Sequence, residues 1–262
     1  MSVPARALRQ HGFLFWLWLK RDLKSRYAGS VGGLVWALLL PLFTVLLFYV
    51  VFALVLQVRV PALASERGYF LYLLAGLLPW LSTADGLTRA VSALAGQEQF
   101  LQKIVFPIDI LPATAVVSSL LTQAVGTVVL LLLLAGEGLL SLRLLLLPLV
   151  LVAQLLMVLG LGLALSILAV HLRDLLQLVP VLLQFLFYSA PILYPVTMIP
   201  AGYHRYFLLN PFTGLIEVYH WLYLGIPVGA PAVLALLFWA MVLGLGGALL
   251  FRVLKPTLGD YL

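Results

Sequence analysis

Cysteine is absent from all 262 residues, so the chain has no disulfide framework, thiolate metal site or thiol nucleophile. Charge is scarce: 9% of residues are Asp, Glu, Lys or Arg, against 64% hydrophobic. No soluble domain of this size has an interior for that much apolar surface, so the surrounding solvent must be lipid. The phosphate-loop pattern G-x-x-x-x-G-K-[ST] is missing, which excludes ATP binding by that route. H-E-x-x-H is missing too, and His11, His171, His204 and His220 are scattered without ligand spacing, so no metal site is expected. No acid pair falls in a cytosolic loop as a metal-diphosphate site requires. Nothing in the sequence argues for catalysis. Residues 1–10 lack the apolar core and small-residue cleavage site of a secretory signal. The first span is therefore expected to serve as the insertion signal.

What the chain has is long apolar runs. Six are predicted to cross a membrane as helices: 34–56, 69–93, 112–134, 144–170, 175–192 and 231–254. Each has the length needed for a hydrocarbon layer of about 30 Å. With both termini inside, eleven of the fifteen basic residues fall on the cytosolic side, and only Arg59, Arg67, Arg143 and Arg205 fall outside. A miscounted span would scramble that split. The net charge of +6 thus speaks for membrane orientation and anionic headgroups, not for nucleic acid.

Residues 10–28 precede the first span and read as an amphipathic interface helix. Trp16, Leu19, Leu23 and Tyr27 share one helical face, and Lys20, Arg21 and Lys24 another. Asp22 and Arg26 are four apart and can pair. The apolar run 13–19 is too short to span, so the helix is expected in the headgroup plane. Gly29, Gly32 and Gly33 then allow the backbone to turn into the membrane. A generic positive-inside anchor is the plainer account of the same residues.

Two connections are unusual. Residues 97–107 form a cytosolic segment of helix formers, Glu98 to Lys103, closed by Phe106-Pro107. It suits either a docking surface for a soluble partner or an ordinary interfacial helix. Residues 193–229, on the outer side, mix prolines with apolar and aromatic residues, including Tyr194, Tyr203, Tyr206, Phe207, Phe212, Tyr219, Trp221 and Tyr223. Residues 212–225 are apolar but too short to cross, the length of a re-entrant piece. The aromatics fit a membrane-surface belt or an outer gate whose flat faces pack on sugar rings.

Polar stripes recur within spans. Ser119, Gln123 and Thr127 repeat every four residues, and Gln177, Gln184 and Tyr188 share a face. Each stripe fits an aqueous path or interhelical hydrogen bonds equally. Ala240, Gly244 and Ala248 form a small-residue ridge that reads as helix packing. Asp85 and Arg89 are expected to make a local ion pair. Glu217 and His220, three apart, read as a structural or gating pair.

Several stretches resemble one family. Arg21-Asp22-Leu23-Lys24-Ser25-Arg26-Tyr27-Ala28-Gly29-Ser30, then Leu34-Val35-Trp36 and Pro41, is similar to the opening signature of the type-2 ATP-binding-cassette (ABC-2) permeases that export polysaccharides. Leu74-Ala75-Gly76-Leu77-Leu78-Pro79-Trp80 resembles that family's second-span motif. Residues 100–107, followed by Ile110-Leu111-Pro112, resemble its coupling motif. Arg173-Asp174, Pro191-Ile192-Leu193-Tyr194-Pro195 and Asn210-Pro211-Phe212-Thr213-Gly214 match its second half in order. Gly32 stands where the pattern usually has a larger apolar residue, and Leu40 where it often has a polar one.

The resemblance implies one all-α integral membrane domain over residues 1–262. It would have six transmembrane helices, an N-terminal interface helix, a cytosolic coupling helix and re-entrant outer gate helices between spans five and six. It implies a homodimer in the bacterial inner membrane with both termini cytoplasmic. Two separately encoded ABC subunits would bind ATP and magnesium, and this chain would carry no cofactor. The substrate implied is an undecaprenyl-linked polysaccharide such as O-antigen, capsule or a teichoic-acid-like polymer. Coupling to the ATPase would rest on Glu98, Phe100, Lys103 and Phe106. The interface hinge would use Arg21, Asp22, Arg26, Tyr27 and Gly29, and the outer gate Asn210, Glu217, Tyr219 and His220. Aromatic faces suit sugars because they contact C–H faces without fixing one register. On that ground the path is assigned to Trp36, Phe43, Tyr49, Phe52, Gln184, Tyr188 and Tyr194. A drug or lipid efflux permease of the same type is the alternative. A membrane glycosyl or prenyl transferase ranks third, since it needs clustered acids and Asp85, Asp109 and Asp174 lie on separate elements.

Overall fold

The computed structural model describes residues 5–27, 35–61, 63, 67–95 and 107–256. Among these the chain is helical, with no strand. Helix α1 (Ala5–Tyr27) is followed by α2 (Val35–Tyr49), which continues into a π-helical turn, Val50–Val55. Then come α3 (Gly68–Ser92), α4 (Ile110–Gly136), α5 (Leu147–His171) and α6 (Leu175–Tyr188). After short turns come α7 (Thr213–Leu224) and α8 (Ala230–Leu254). Four stretches are long and apolar enough to cross a membrane: α3, α4, α8, and α5 with the 3-10 turn before it. The apolar stretches Pro41–Val55 and Leu175–Tyr188 are shorter.

Element ends differ from the sequence reading where local chemistry intervenes. Helix α6 stops at Tyr188, not 192, because Ser189 and Ala190 close the last turn and Pro191 cannot continue it. Helix α4 begins two residues before Pro112, which sits in the first turn where its missing N–H costs nothing. Pro41, Pro79 and Pro180 lie inside helices, each removing one backbone hydrogen bond.

Helix α3 is the post of the bundle. It packs on α2, α4, α5, α6 and α7, and is the most buried of the long helices. Its tyrosines are tolerated because their hydroxyls have partners. Tyr69 donates to the Leu193 carbonyl at 2.6 Å, and the Tyr72 hydroxyl reaches the Pro191 carbonyl at 2.7 Å. Lipid gives helices no hydrophobic reason to associate, so small residues and polar contacts must supply it. The α5–α8 seam uses small residues. Gly160 lies against the Leu243 carbonyl, Gly244 and Gly247, where any Cβ would collide with backbone. Of the expected ridge, Gly244 sits in this seam, while Ala240 and Ala248 line an apolar groove of about 830 Å³ beside it.

The two ends of the bundle differ. At one end α1 packs against α4 and reaches α3 through side-chain ion pairs, and Lys255, just after α8, reaches Asp109 at 3.2 Å. The end of α8 thus lies on the same side as α1. The other end, called here the far end, carries Arg67 paired with Glu137 at 3.1 Å, and the turns of residues 189–229.

Candidate functional site

Four charges meet at the α1 end. Arg26 Nη2 donates to Asp85 Oδ2 at 2.5 Å and to Ser119 Oγ at 2.7 Å, and Nη1 donates to Thr122 Oγ1 at 3.2 Å. Arg89 Nη2 donates to Asp22 Oδ1. Asp22 and Arg26 approach to 3.6 Å, and Asp85 and Arg89 to 3.7 Å. The two expected i,i+4 pairs therefore exist, but the shorter contacts cross between α1 and α3. The result is a closed ring that fastens the interface helix to the bundle. Of the proposed hinge, Asp22 and Arg26 are in this ring, while Arg21 sits outside it with its guanidinium 4.9 Å from the Trp18 ring. Tyr27 ends α1. Gly29 lies outside the described residues, as do Glu98, Phe100, Lys103 and Phe106 of the coupling segment.

A second network lies deeper. Gln154 Nε2 donates to Gln123 Oε1 at 2.9 Å and to the Pro79 carbonyl at 3.0 Å, with Thr83 Oγ1 at 3.1 Å. Tyr219 donates to Gln154 Oε1 at 2.6 Å. All four polar side chains are buried, so Gln123 of the stripe makes interhelical hydrogen bonds, while Ser119 and Gln123 also line a cavity of about 240 Å³ with Arg26, Trp36 and Asp85. Tyr219, assigned to the gate, is part of this core.

At the far end Asn210 is a clasp. Its Nδ2 donates to the Leu186 carbonyl (2.8 Å) and Ser189 Oγ (2.9 Å) at the end of α6, and its Oδ1 accepts from the Phe212 N–H (2.9 Å) entering α7. His220 stacks on Tyr72 with centroids 3.9 Å apart and donates through Nε2 to the Tyr72 carbonyl at 3.1 Å. It therefore partners Tyr72 and forms no ion pair with Glu217 among the described residues. Glu217 instead feels His204, which approaches from the turn after α6. Helix α7, at twelve residues, is too short to span. Burial raises the Glu217 pKa from 4.5 to about 7, against a smaller lowering by His204. Helix α7 ends at Gly225 in a left-handed conformation, φ 73°, covered by the Arg143 guanidinium.

The residues assigned to a path divide into two sets. Trp36, Phe43, Gln184 and Tyr188 are exposed on the outer surfaces of α2 and α6. Tyr49, Phe52 and Tyr194 are half-buried in an aromatic seam. Tyr49 meets Phe70 edge-on at 5.9 Å, Phe52 lies 6.2 Å from Phe48, and Tyr194 donates to the Tyr188 carbonyl at 2.7 Å. Phe48 in turn lies 5.5 Å from Phe187, which places α2 beside α6.

The ABC-2 type transporter model matches residues 13–224. The chain belongs to the ABC-2 type transporter family. It is 28% identical over 256 residues to the O-antigen export system permease protein RfbA of Klebsiella pneumoniae, covering 96% of each chain. It is 29% identical over 217 residues to the RfbA permease of Myxococcus xanthus, covering 82% of this chain and 81% of that one. It is 27% identical over 200 residues to the polysialic acid transport protein KpsM of Escherichia coli, covering 76% of each.

In this ABC-2 type chain, sequence reasoning gave no site role to Gln154, Thr83, Tyr72, His204 or Thr213. Gln154 did leave a signal, as the one amide in an otherwise apolar helix. The others had none, because their partners are supplied by distant segments.

Proposed function

We propose that the chain is the membrane subunit of an ATP-driven exporter that moves a polysaccharide out of the cell. The end-to-end match to an O-antigen export permease carries this reading. On it, ATP hydrolysis belongs to a separate ABC subunit, and this chain supplies the passage and the coupling surface. Helix α2 with its π-helical turn runs 35–55, about 31 Å at 1.5 Å per residue, and the non-helical turns of residues 189–192 carry the chain on from the end of α6 at Tyr188. With the four long helices α2 and α6 make six crossings, the α1 end facing the cytoplasm and the far end facing out. The membrane is the bacterial inner membrane.

Two copies would meet across α2 and α6. Their exposed faces carry Trp36, Phe43, Gln184 and Tyr188, a mixed aromatic and amide surface. Such a surface suits a wet polymer that must slide, since each contact is weak and none fixes a register. The nucleotide-binding subunits would seat on residues 97–107 and act on the bundle through that segment and α1. An undecaprenyl carrier on the polymer is part of the proposal.

Deleting the chain should remove the surface polysaccharide and leave drug resistance unchanged. The reverse pattern would replace this reading with a drug or lipid efflux permease. Phe100→Asp should abolish export and uncouple it from ATP hydrolysis, and Tyr188→Ala with Tyr194→Ala should reduce export.

A further inference from the structure

A cavity of about 310 Å³ lies at the far end, between the turns after α6, helix α7 and the start of α8. It is at the lower end of the ~300–1,000 Å³ typical of small-molecule sites, and has their make-up: apolar walls with a few polar groups. Thr213 lines it, is 1% exposed, and its Oγ1 has no hydrogen-bond partner. A buried hydroxyl left alone is costly, so the site lacks a partner for it. Glu217 presents a carboxyl group. His204 donates through Nε2 to the Ile199 carbonyl at 2.6 Å, which leaves Nδ1 as the ring nitrogen open to a ligand.

The lining selects among ligands. No lysine or arginine lines the cavity, so no fixed cation offsets the charge of a phosphate or carboxylate, and Glu217 stands beside where it would sit. No group of three or more His, Asp or Glu able to hold a metal ion exists among the described residues. What remains is a set of hydrogen-bonding groups, Thr213, Glu217 and His204, facing apolar surface from Ile199, Phe207 and Pro227. An uncharged sugar ring supplies the complement: hydroxyl donors on its edge and C–H groups on its face. The volume admits one ring and not an oligomer.

We propose that this cavity binds a single uncharged sugar unit of the exported polymer, held by Thr213, Glu217 and His204. This rests on the polysaccharide-export reading. Glu217 is held partly protonated near neutral pH by burial, so it can give or take a hydrogen bond from a hydroxyl. The site is separate from the aromatic faces of α2 and α6, and would hold a ring at the exit end.

The test uses the full chain with its ATPase subunits in lipid nanodiscs. Glucose, galactose, mannose and N-acetylglucosamine are each offered at millimolar concentration and followed by saturation-transfer NMR. At least one should receive saturation. Thr213→Val and Glu217→Gln should each weaken binding about five- to tenfold, the loss of one hydrogen bond. Thr197→Trp, at an exposed position on the cavity rim, should block it without touching the core. Failure of all four sugars to bind, or binding that survives all three substitutions, overturns the site. If deleting the chain removes surface polysaccharide while no sugar binds, only the site falls. If sugars bind but deletion leaves the polysaccharide intact, the export reading falls and takes the polymer assignment with it.

Discussion

Arg26 in α1 reaches Asp85 in α3 across 59 positions of sequence, and its guanidinium closes on the carboxylate at 2.5 Å. The contact is one side of a ring whose other long-range side is Arg89 to Asp22. Because both carboxylates and both guanidinium groups are shared between two helices, α1 and α3 should move as one body.

Removing one member of the ring strands another charge. Arg26→Ala or Asp85→Ala should each cost about 1–3 kcal/mol, less than for a sealed pair because Asp85 is 41% exposed. The double change Arg26→Ala with Asp85→Ala should cost less than the sum of the two single changes, since neither partner is left without its opposite charge. Thermal unfolding of the four proteins in detergent measures it, and additive losses would show that the two residues are not acting as paired charge.

The amide pair Gln123–Gln154 offers a cleaner cycle. Gln154→Leu takes the donor from Gln123 Oε1 and the acceptor from the Tyr219 hydroxyl, and should destabilise by about 1–2 kcal/mol. Gln123→Leu with Gln154→Leu should cost less than the sum of the two single changes, since no lone amide remains. Additive losses in the same unfolding measurement would contradict the pairing.

Two glycines of the α5–α8 region should respond oppositely. Gly160→Ala drives a methyl into the Leu243 carbonyl and Gly247, so it should force the helices apart and lower the yield of monodisperse protein. Gly246→Ala meets nothing within 4 Å and should be neutral or slightly stabilising through helix propensity. Size-exclusion profiles of the two variants decide the matter.

Stability should depend on pH through Glu217. Burial raises its folded pKa from 4.5 to about 7, so the fold favours the neutral carboxyl. That contribution is complete below pH 4.5 and is lost as pH rises through 7. Glu217 lines the cavity together with His204, His220 and Tyr72. Burial lowers His220 to about 3, which acts in the other direction as pH falls below 6.5. The difference between wild type and Glu217→Gln isolates the carboxyl: the wild-type midpoint should fall relative to the variant between pH 4.5 and 7. Parallel curves over that window would refute the shift.

Much of this molecule is written locally. Hydropathy is a property of short windows, so the long helices and the shortness of α7 are legible from residue order alone. The i,i+4 spacing of Asp22 with Arg26 and of Asp85 with Arg89 is legible for the same reason. What the four charges do together is not, because the ring closes through segments far apart in the chain. The Ser119–Gln123 stripe shows the same limit: spacing leaves a water path and interhelical bonding equal, and only the packed helices show that Asp85 and Gln154 arrive as its partners. Glu217 and His220 share a face in sequence, yet Tyr72 takes the histidine and leaves the carboxyl to His204.

The sequence by itself determined that lipid is the solvent, which stretches are helical, and where the basic residues gather, because each follows from side-chain transfer energies summed over neighbours in the chain. The tertiary structure alone decided which polar groups are satisfied inside the bundle and which, like Thr213, are left facing a cavity. Hydrogen bonds depend on distance and direction between particular atoms, and those are set only when the helices have packed.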